Sequence, residues 1–313
     1  MKINFILTRL WQYLNIYFLK PFDAINDTLT SYIIFKKIKF KNNYVEIGSG
    51  DGMFSYIMHG GRFPLSFDRY LDIDLNKKNI FDIHSAKIPL KKKRFENLIR
   101  PAVSFDSRKN HVKKILNIGF SKKAISTKLE SIHLKKKTTN FIFFYTPHGI
   151  NNLERCIKSA SKILKKKGKM AILVFDNYVN KNFISYRLGS NKNLYSNFFK
   201  KIDNGRYDEI SQYSKSPKEW EKVFKKNNLK ILKVNSGLSG FAWKVYDIQT
   251  RPFLKILIKF FNFFPKIIRT ILKFFWMLLF YPILLVFFIL FSNLFFKNRF
   301  NCYHAYELLK IGK

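Results

Sequence analysis

A short apolar strand that runs straight into three alternating glycines constrains this chain more than any other feature. The stretch is Tyr44-Val45-Glu46-Ile47-Gly48-Ser49-Gly50-Asp51-Gly52-Met53-Phe54-Ser55. Lacking side chains, Gly48, Gly50 and Gly52 can adopt positive φ and let a ligand approach the backbone closely. A loop feeding a helix also offers N–H groups to a carboxylate or phosphate. The spacing is G-x-G-x-G, not the dinucleotide G-x-G-x-x-G, and no Lys-Ser/Thr follows as in a nucleotide P-loop.

The surroundings suit a parallel sheet. Strand-like runs at Tyr44–Ile47, Ala102–Phe105, Lys123–Ser126, Phe141–Tyr145, Met170–Phe175 and Leu229–Val234 alternate with helical stretches such as Arg108–Ile118 and Leu153–Leu164. This alternation predicts an α/β chain with a doubly wound, mostly parallel sheet and helices on both faces. Ser216-Pro217-Lys218-Glu219 reads as a helix start with a capping box, which places Trp220 in the first turn facing the core. Near the N-terminus, Leu7, Leu10, Trp11, Leu14 and Phe18 recur at helical spacing. They predict a core-packing helix within a helical lead-in over residues 1–30, and Arg9, Gln12 and Asn15 argue against an export signal.

Glu46, two residues before the first glycine, sharpens the loop. Glu-x-Gly-x-Gly-x-Gly at a strand end resembles the first motif of class I S-adenosylmethionine-dependent methyltransferases, whose fold is Rossmann-like. The resemblance covers residues 30 to about 250 and implies a cofactor domain over 31–250. It implies that Gly48, Ser49, Gly50, Asp51 and Gly52 wrap the methionine part of S-adenosyl-L-methionine while Glu46 braces the loop. An acid at the end of the next strand would then accept the ribose hydroxyls. Asp106, after the run ending at Phe105, has the better setting, while Asp72 and Asp74 lie nearer the usual distance. With Asp106, residues 56–100 become an insertion between the first two strands. Leu129 falls against adenine, although Lys128 stands where the family usually has an acid, and Asn140 likewise replaces a common acid. Tyr145 and Thr146, with the loop to Gly149, face the methyl donor. In that loop His148 is the candidate base, ahead of His59, His84 and His111.

Lys and Arg number 58 against 20 Asp and Glu, a formal net charge of +38, so anionic partners are expected. The loop after the fourth strand lacks the Asn/Asp-Pro-Pro-aromatic cluster of nucleic-acid amino methylation. The runs Lys91–Arg94, Lys135–Lys137 and Lys165–Lys167 lack interleaved aromatics for stacking bases. Nucleic acid is therefore disfavoured, and anionic membrane lipid is the expected partner. Two cysteines, Cys156 and Cys302, form no metal spacing and no disulfide scaffold.

The C-terminal region carries the membrane expectation. Phe274–Phe296 is 23 residues without a charge, against about 20 needed to span a bilayer, with Trp276 and Tyr281 toward one end as interfacial rings. Upstream, Arg251, Lys255, Lys259, Asn262, Lys266, Arg269 and Lys273 recur every three or four residues among Phe, Leu and Ile. They predict a basic amphipathic interfacial helix over 251–273, with Pro265 as a possible break. A transmembrane or re-entrant segment over 274–296 and a basic tail over 297–313 complete the expectation. Together these features predict methyl transfer to a lipid, lipid-linked glycan or quinone-like acceptor at the cytoplasmic membrane face. A tethered enzyme for a soluble small molecule, and a non-catalytic scaffold, are the alternatives.

Overall fold

The computed structural model describes residues 3–71, 95, 98–132, 139–145, 152–191, 194–203, 205–249, 254–291 and 301–312. Helices α1 (Ile3–Ile16) and α2 (Pro21–Lys37) precede strand β1 (Tyr44–Ile47), α3 (Met53–Met58), β2 (Pro101–Asp106), α4 (Lys109–Ile118) and β3 (Ala124–Ser126). Then follow β4 (Thr139–Phe144), α5 (Leu153–Ile163), β5 (Leu164–Phe175), α6 (Ile184–Ser190), α7 (Ser196–Asp203), α8 (Arg206–Ser211) and α9 (Pro217–Lys226). The chain closes with β6 (Leu229–Ser239), α10 (Gly240–Gln249), α11 (Leu254–Asn262), α12 (Lys266–Phe291) and β7 (Asn301–Lys310).

The seven strands lie in the order β3-β2-β1-β4-β5-β7-β6. β3, β2, β1, β4 and β5 pair in parallel, while β7 runs antiparallel to both β5 and β6. Alternation along the strands divides the core between the two faces. Tyr44, Phe141 and Phe143 join one cluster with α1, α2 and α12, whereas Val45, Ile47, Ile142 and Phe144 join another with α5 and α9. The capping box at Ser216 forms, and fully buried Trp220 donates its Nε1–H to Phe175 O.

Two expectations for the C-terminus are overturned. The basic tail is a buried strand: β7 inserts between β5 and β6, with Tyr303, Ala305 and Tyr306 in the core. The ladder of hydrogen bonds on both sides outweighs the cost of its one lysine, Lys310, which ends the strand and donates to Ser161 Oγ at 2.6 Å. Nor is there a single basic stripe. α11 stops before Pro265, α12 starts anew, and Arg269 and Lys273 turn inward, each 1% exposed. Arg269 pairs with Asp68. Lys273 Nζ donates to Leu65 O at 3.3 Å and Phe67 O at 2.6 Å. The polar ends of Trp276 and Tyr281 also point into the protein. They donate to Phe18 O at 2.7 Å and Leu7 O at 3.1 Å. α12 continues through Pro282, and α1 is buried as expected, with Leu10 and Leu14 fully covered. Residues 292–300 lie outside the described residues.

Candidate functional site at the sheet crevice

In this strand order the chain reverses direction across the sheet between β1 and β4, and the carboxyl ends of those strands open a crevice there. The glycine loop occupies that edge. Gly48, Gly50 and Gly52 have φ of 70°, 56° and 80°, all in the left-handed region. A Cβ built on Gly50 would meet nothing within 4 Å, whereas one on Gly52 would lie 3.2 Å from Ile115. Gly52 is therefore needed for packing and Gly50 for approach. Glu46 is buried, with Ser55 Oγ donating to one carboxylate oxygen and Ser104 Oγ to the other at 3.0 Å. Burial pushes its carboxyl up to about 7, against the pull of those two hydroxyls.

The loop does not present free amides at every position. Gly48 N–H and Ser49 N–H donate to Phe105 O at 2.9 and 3.2 Å, as does Ser49 Oγ at 3.2 Å. Gly50 N–H donates to Asp106 Oδ2 at 2.9 Å, and Met53 N–H to Asp51 Oδ1 at 3.2 Å. The glycines contribute shape rather than a nest of donors.

Asp106 is the last residue of β2, the strand beside β1, and it faces the loop. Its Oδ1 accepts Arg108 N–H at 2.9 Å and lies 3.2 Å from His111 Nδ1. Oδ2, with one accepted bond, keeps a lone pair for a further donor such as a ribose hydroxyl. Buried Leu129 opens a short turn, Leu129–Ser131, after β3, while Lys128 and Asn140 are exposed. Asp72, Asp74, His84, Thr146, His148 and Gly149 lie outside the described residues. His59 lies at the other end of β1, 3.0 Å from Tyr44 Oη, and burial drives its pKa down to about 3. It has no place in the crevice.

Over the crevice sits Tyr145, expected there from the sequence, together with Asp27, Tyr17, Tyr13 and Arg69, which the sequence did not single out. Tyr145 follows β4, its N–H donates to Ile47 O at 3.2 Å, and its ring stacks on Phe54 at 3.9 Å. Its hydroxyl reaches Asp27 Oδ1 on α2 at 3.4 Å. Tyr17 also hydrogen-bonds Asp27, whose carboxyl burial pushes up to about 7, with Asp23 adding to the rise. Tyr13 Oη donates to Phe54 O at 3.1 Å, so α1 and α2 together roof the loop. Asp51 meets Arg69 at 2.6 Å. Burial opposes its charge, yet Arg69, His111, the Met53 N–H and Lys114 hold its carboxyl below the usual range.

No protein-family model matches the chain, and no curated protein matches it in sequence. Among solved structures it is similar to a putative sarcosine dimethylglycine methyltransferase from Galdieria sulphuraria, at 9% identity and TM-score 0.46, covering 91% of this chain and 85% of that one. It is also similar to a possible histamine N-methyltransferase from Thermotoga maritima, at 14% identity and TM-score 0.42, covering 73% and 85%. A third is the plantazolicin methyltransferase BamL in complex with SAH, at 10% identity and TM-score 0.43, covering 91% and 83%. At overlaps this partial, the reading of the site rests on its own residues.

Proposed function

We propose that the chain binds S-adenosylmethionine at this crevice and transfers its methyl group to a lipid, lipid-linked glycan or quinone-like acceptor at the cytoplasmic membrane face. The observation that carries the reading is the Glu46–Gly52 loop at the β1/β4 reversal, facing Asp106 across the end of β2. The residues fit the cofactor. Gly50 leaves open space where a side chain would intrude, and Asp106 has acceptor capacity at the position that would meet a ribose.

Bound, the cofactor supplies a methyl group activated by a positive sulfonium. Glu46 braces the strand and helix on either side of the loop, through Ser104 and Ser55, and so supports the positive-φ shape of its glycines. Tyr145, clamped by Phe54, orients the acceptor over the loop. For a hydroxyl acceptor a proton must leave, and Asp27, 3.4 Å from the Tyr145 hydroxyl and with its carboxyl raised by burial, receives it through that hydroxyl. Most of the rate gain comes from alignment of the two reactants. An apolar acceptor is favoured because the roof of the crevice, α1 and α2, is also the surface on which α12 packs.

Calorimetric titration of the detergent-solubilised protein with S-adenosylhomocysteine tests this reading. Micromolar binding is expected, weakened at least tenfold by Asp106→Ala, which corresponds to about 1.4 kcal/mol. A folded protein that takes up no ligand overturns it and leaves the scaffold. Activity on a water-soluble acceptor in detergent-free buffer favours the tethered soluble enzyme.

A further inference from the structure

We infer that α11 and α12 form a single in-plane docking face that rests in the surface of an anionic bilayer without crossing it. This deepens the membrane half of the preceding reading and does not depend on the cofactor half. By length and composition, residues 266–290 could cross a membrane, with mean hydropathy 2.2. The tertiary contacts forbid it. α12 lies along its own domain from end to end, with Arg269 and Lys273 tied to residues 65–68 near its start. Toward its end, Phe287 packs on Phe22 and Phe288 on Tyr32 of α2. A helix of 26 residues is about 39 Å long, and these contacts tie it to the protein near both ends although only 22% of the span is buried. Crossing lipid would drag α2 into the hydrocarbon, with Asp23, Asp27, Thr28 and Thr30 on it. Moreover, β7 begins at Asn301 between β5 and β6. A crossing helix would oblige residues 292–300, with Lys297 and Arg299, to return through about 30 Å of hydrocarbon almost fully extended.

The other side of α12 is bare. Between Ile267 and Leu290, eleven large apolar side chains are exposed, among them Ile267 at 77%, Phe275 at 62% and Leu279 at 61%. The only two charged side chains in that interval, Arg269 and Lys273, face the core. The area is on the order of 1,000 Å², beyond the roughly 300–600 Å² of a typical monomer's largest patch. At one end, exposed Lys255, Lys259 and Lys266 alternate with exposed Ile256, Phe260 and Phe263. This is the pairing of cations with apolar anchors that suits the phosphate level of a membrane. Charge complementarity selects lipid over a second copy: two chains of net charge +38 would bring like-charged lysines together, whereas an anionic leaflet neutralises them.

The test reconstitutes the full chain onto preformed vesicles, of phosphatidylcholine alone or with about a quarter phosphatidylglycerol. Co-sedimentation should favour the anionic vesicles at least tenfold, and Lys255→Glu with Lys259→Glu should remove that preference. Leu279→Lys should weaken binding at least tenfold at unchanged melting temperature. Depth is read by labelling Ile271→Cys, Leu279→Cys and Ile289→Cys with an environment-sensitive dye. Lipids brominated at shallow or deep positions then quench it, while the buried Cys156 and Cys302 stay unlabelled. Equal, shallow quenching at all three sites is expected. Deep quenching at 279 with shallow quenching at 271 and 289 overturns the inference in favour of a crossing helix. So does vesicle-independent dimerisation that Leu279→Lys abolishes, or a monomer that ignores both vesicle types. S-adenosylhomocysteine titration of the same samples separates failure of the cofactor reading from failure of docking.

Discussion

In the crevice between β1 and β4, Glu46, Asp51, Asp106 and Asp27 each have a partner inside the protein. The outer face of α12 holds eleven large apolar side chains turned to water. Both regions lie against α1 and α2, one beneath them and one outside them. A buried carboxylate is tolerated only when hydrogen bonds or a cation replace lost water, so the crevice is internally complete and exacting. An exposed apolar face costs nothing in hydrogen bonding but leaves its solvation unfavourable until something apolar covers it. The crevice therefore closes its polar groups within the protein, whereas the helix presents a face that the protein itself leaves uncovered.

The largest effect that would sharpen this contrast lies where the two regions join. Asp68→Ala leaves Arg269 buried without its counter-ion and should cost about 3–5 kcal/mol in urea unfolding. Asp68→Asn combined with Arg269→Met should recover most of that. A loss below about 1 kcal/mol would mean that α12 is not anchored there.

Asp27 should give the next largest signal, through pH. Its folded carboxyl sits at about 7 against 3.8 when unfolded, so over that interval the folded state holds a proton that the unfolded state has lost. The stability it contributes is thus present in acid and declines as pH rises toward 7, by a few kcal/mol at most. Asp27→Asn should flatten this part of the profile in urea midpoints measured at several pH values. In methyl transfer to a hydroxyl acceptor it should lower kcat and abolish the rise in rate with pH, while leaving S-adenosylhomocysteine binding nearly unchanged. Identical pH profiles for both proteins would remove Asp27 from the proton transfer.

Gly50→Ala tests the loop more finely. At φ 56° in open space it should cost about 1 kcal/mol in thermal unfolding, yet weaken S-adenosylhomocysteine binding at least tenfold by intruding on the ligand. Smallest of all, Phe275→Ser on the bare face should change stability by less than about 0.5 kcal/mol, since the side chain makes little contact with the core. A loss several times larger would break the comparison by showing that the face is packed.

The loop, the strands up to β6 and the helix opening at Ser216 were legible because they depend on local periodicity and on residues with few conformational options. Glycines at positive φ, a capping box and an apolar strand between turns carry their physics with them. Three things depended on contacts distant in sequence. β7 reads as a basic tail because a strand buried by neighbours from elsewhere needs no pattern of its own. Arg269 and Lys273 read as a surface stripe because helical spacing records angle but not which angle faces protein, and their partners lie some two hundred residues earlier. Asp27 was silent because its partners, Tyr17 and Tyr145, come together only when α2 closes over the sheet. By itself the sequence determined the parallel strands β1 to β5, the glycine loop and the apolar content of α12. Only the tertiary structure decided which side of that helix is covered, because Arg269 and Lys273 find their partners at residues 65–68 and Phe287 and Phe288 find theirs on α2, all distant in sequence.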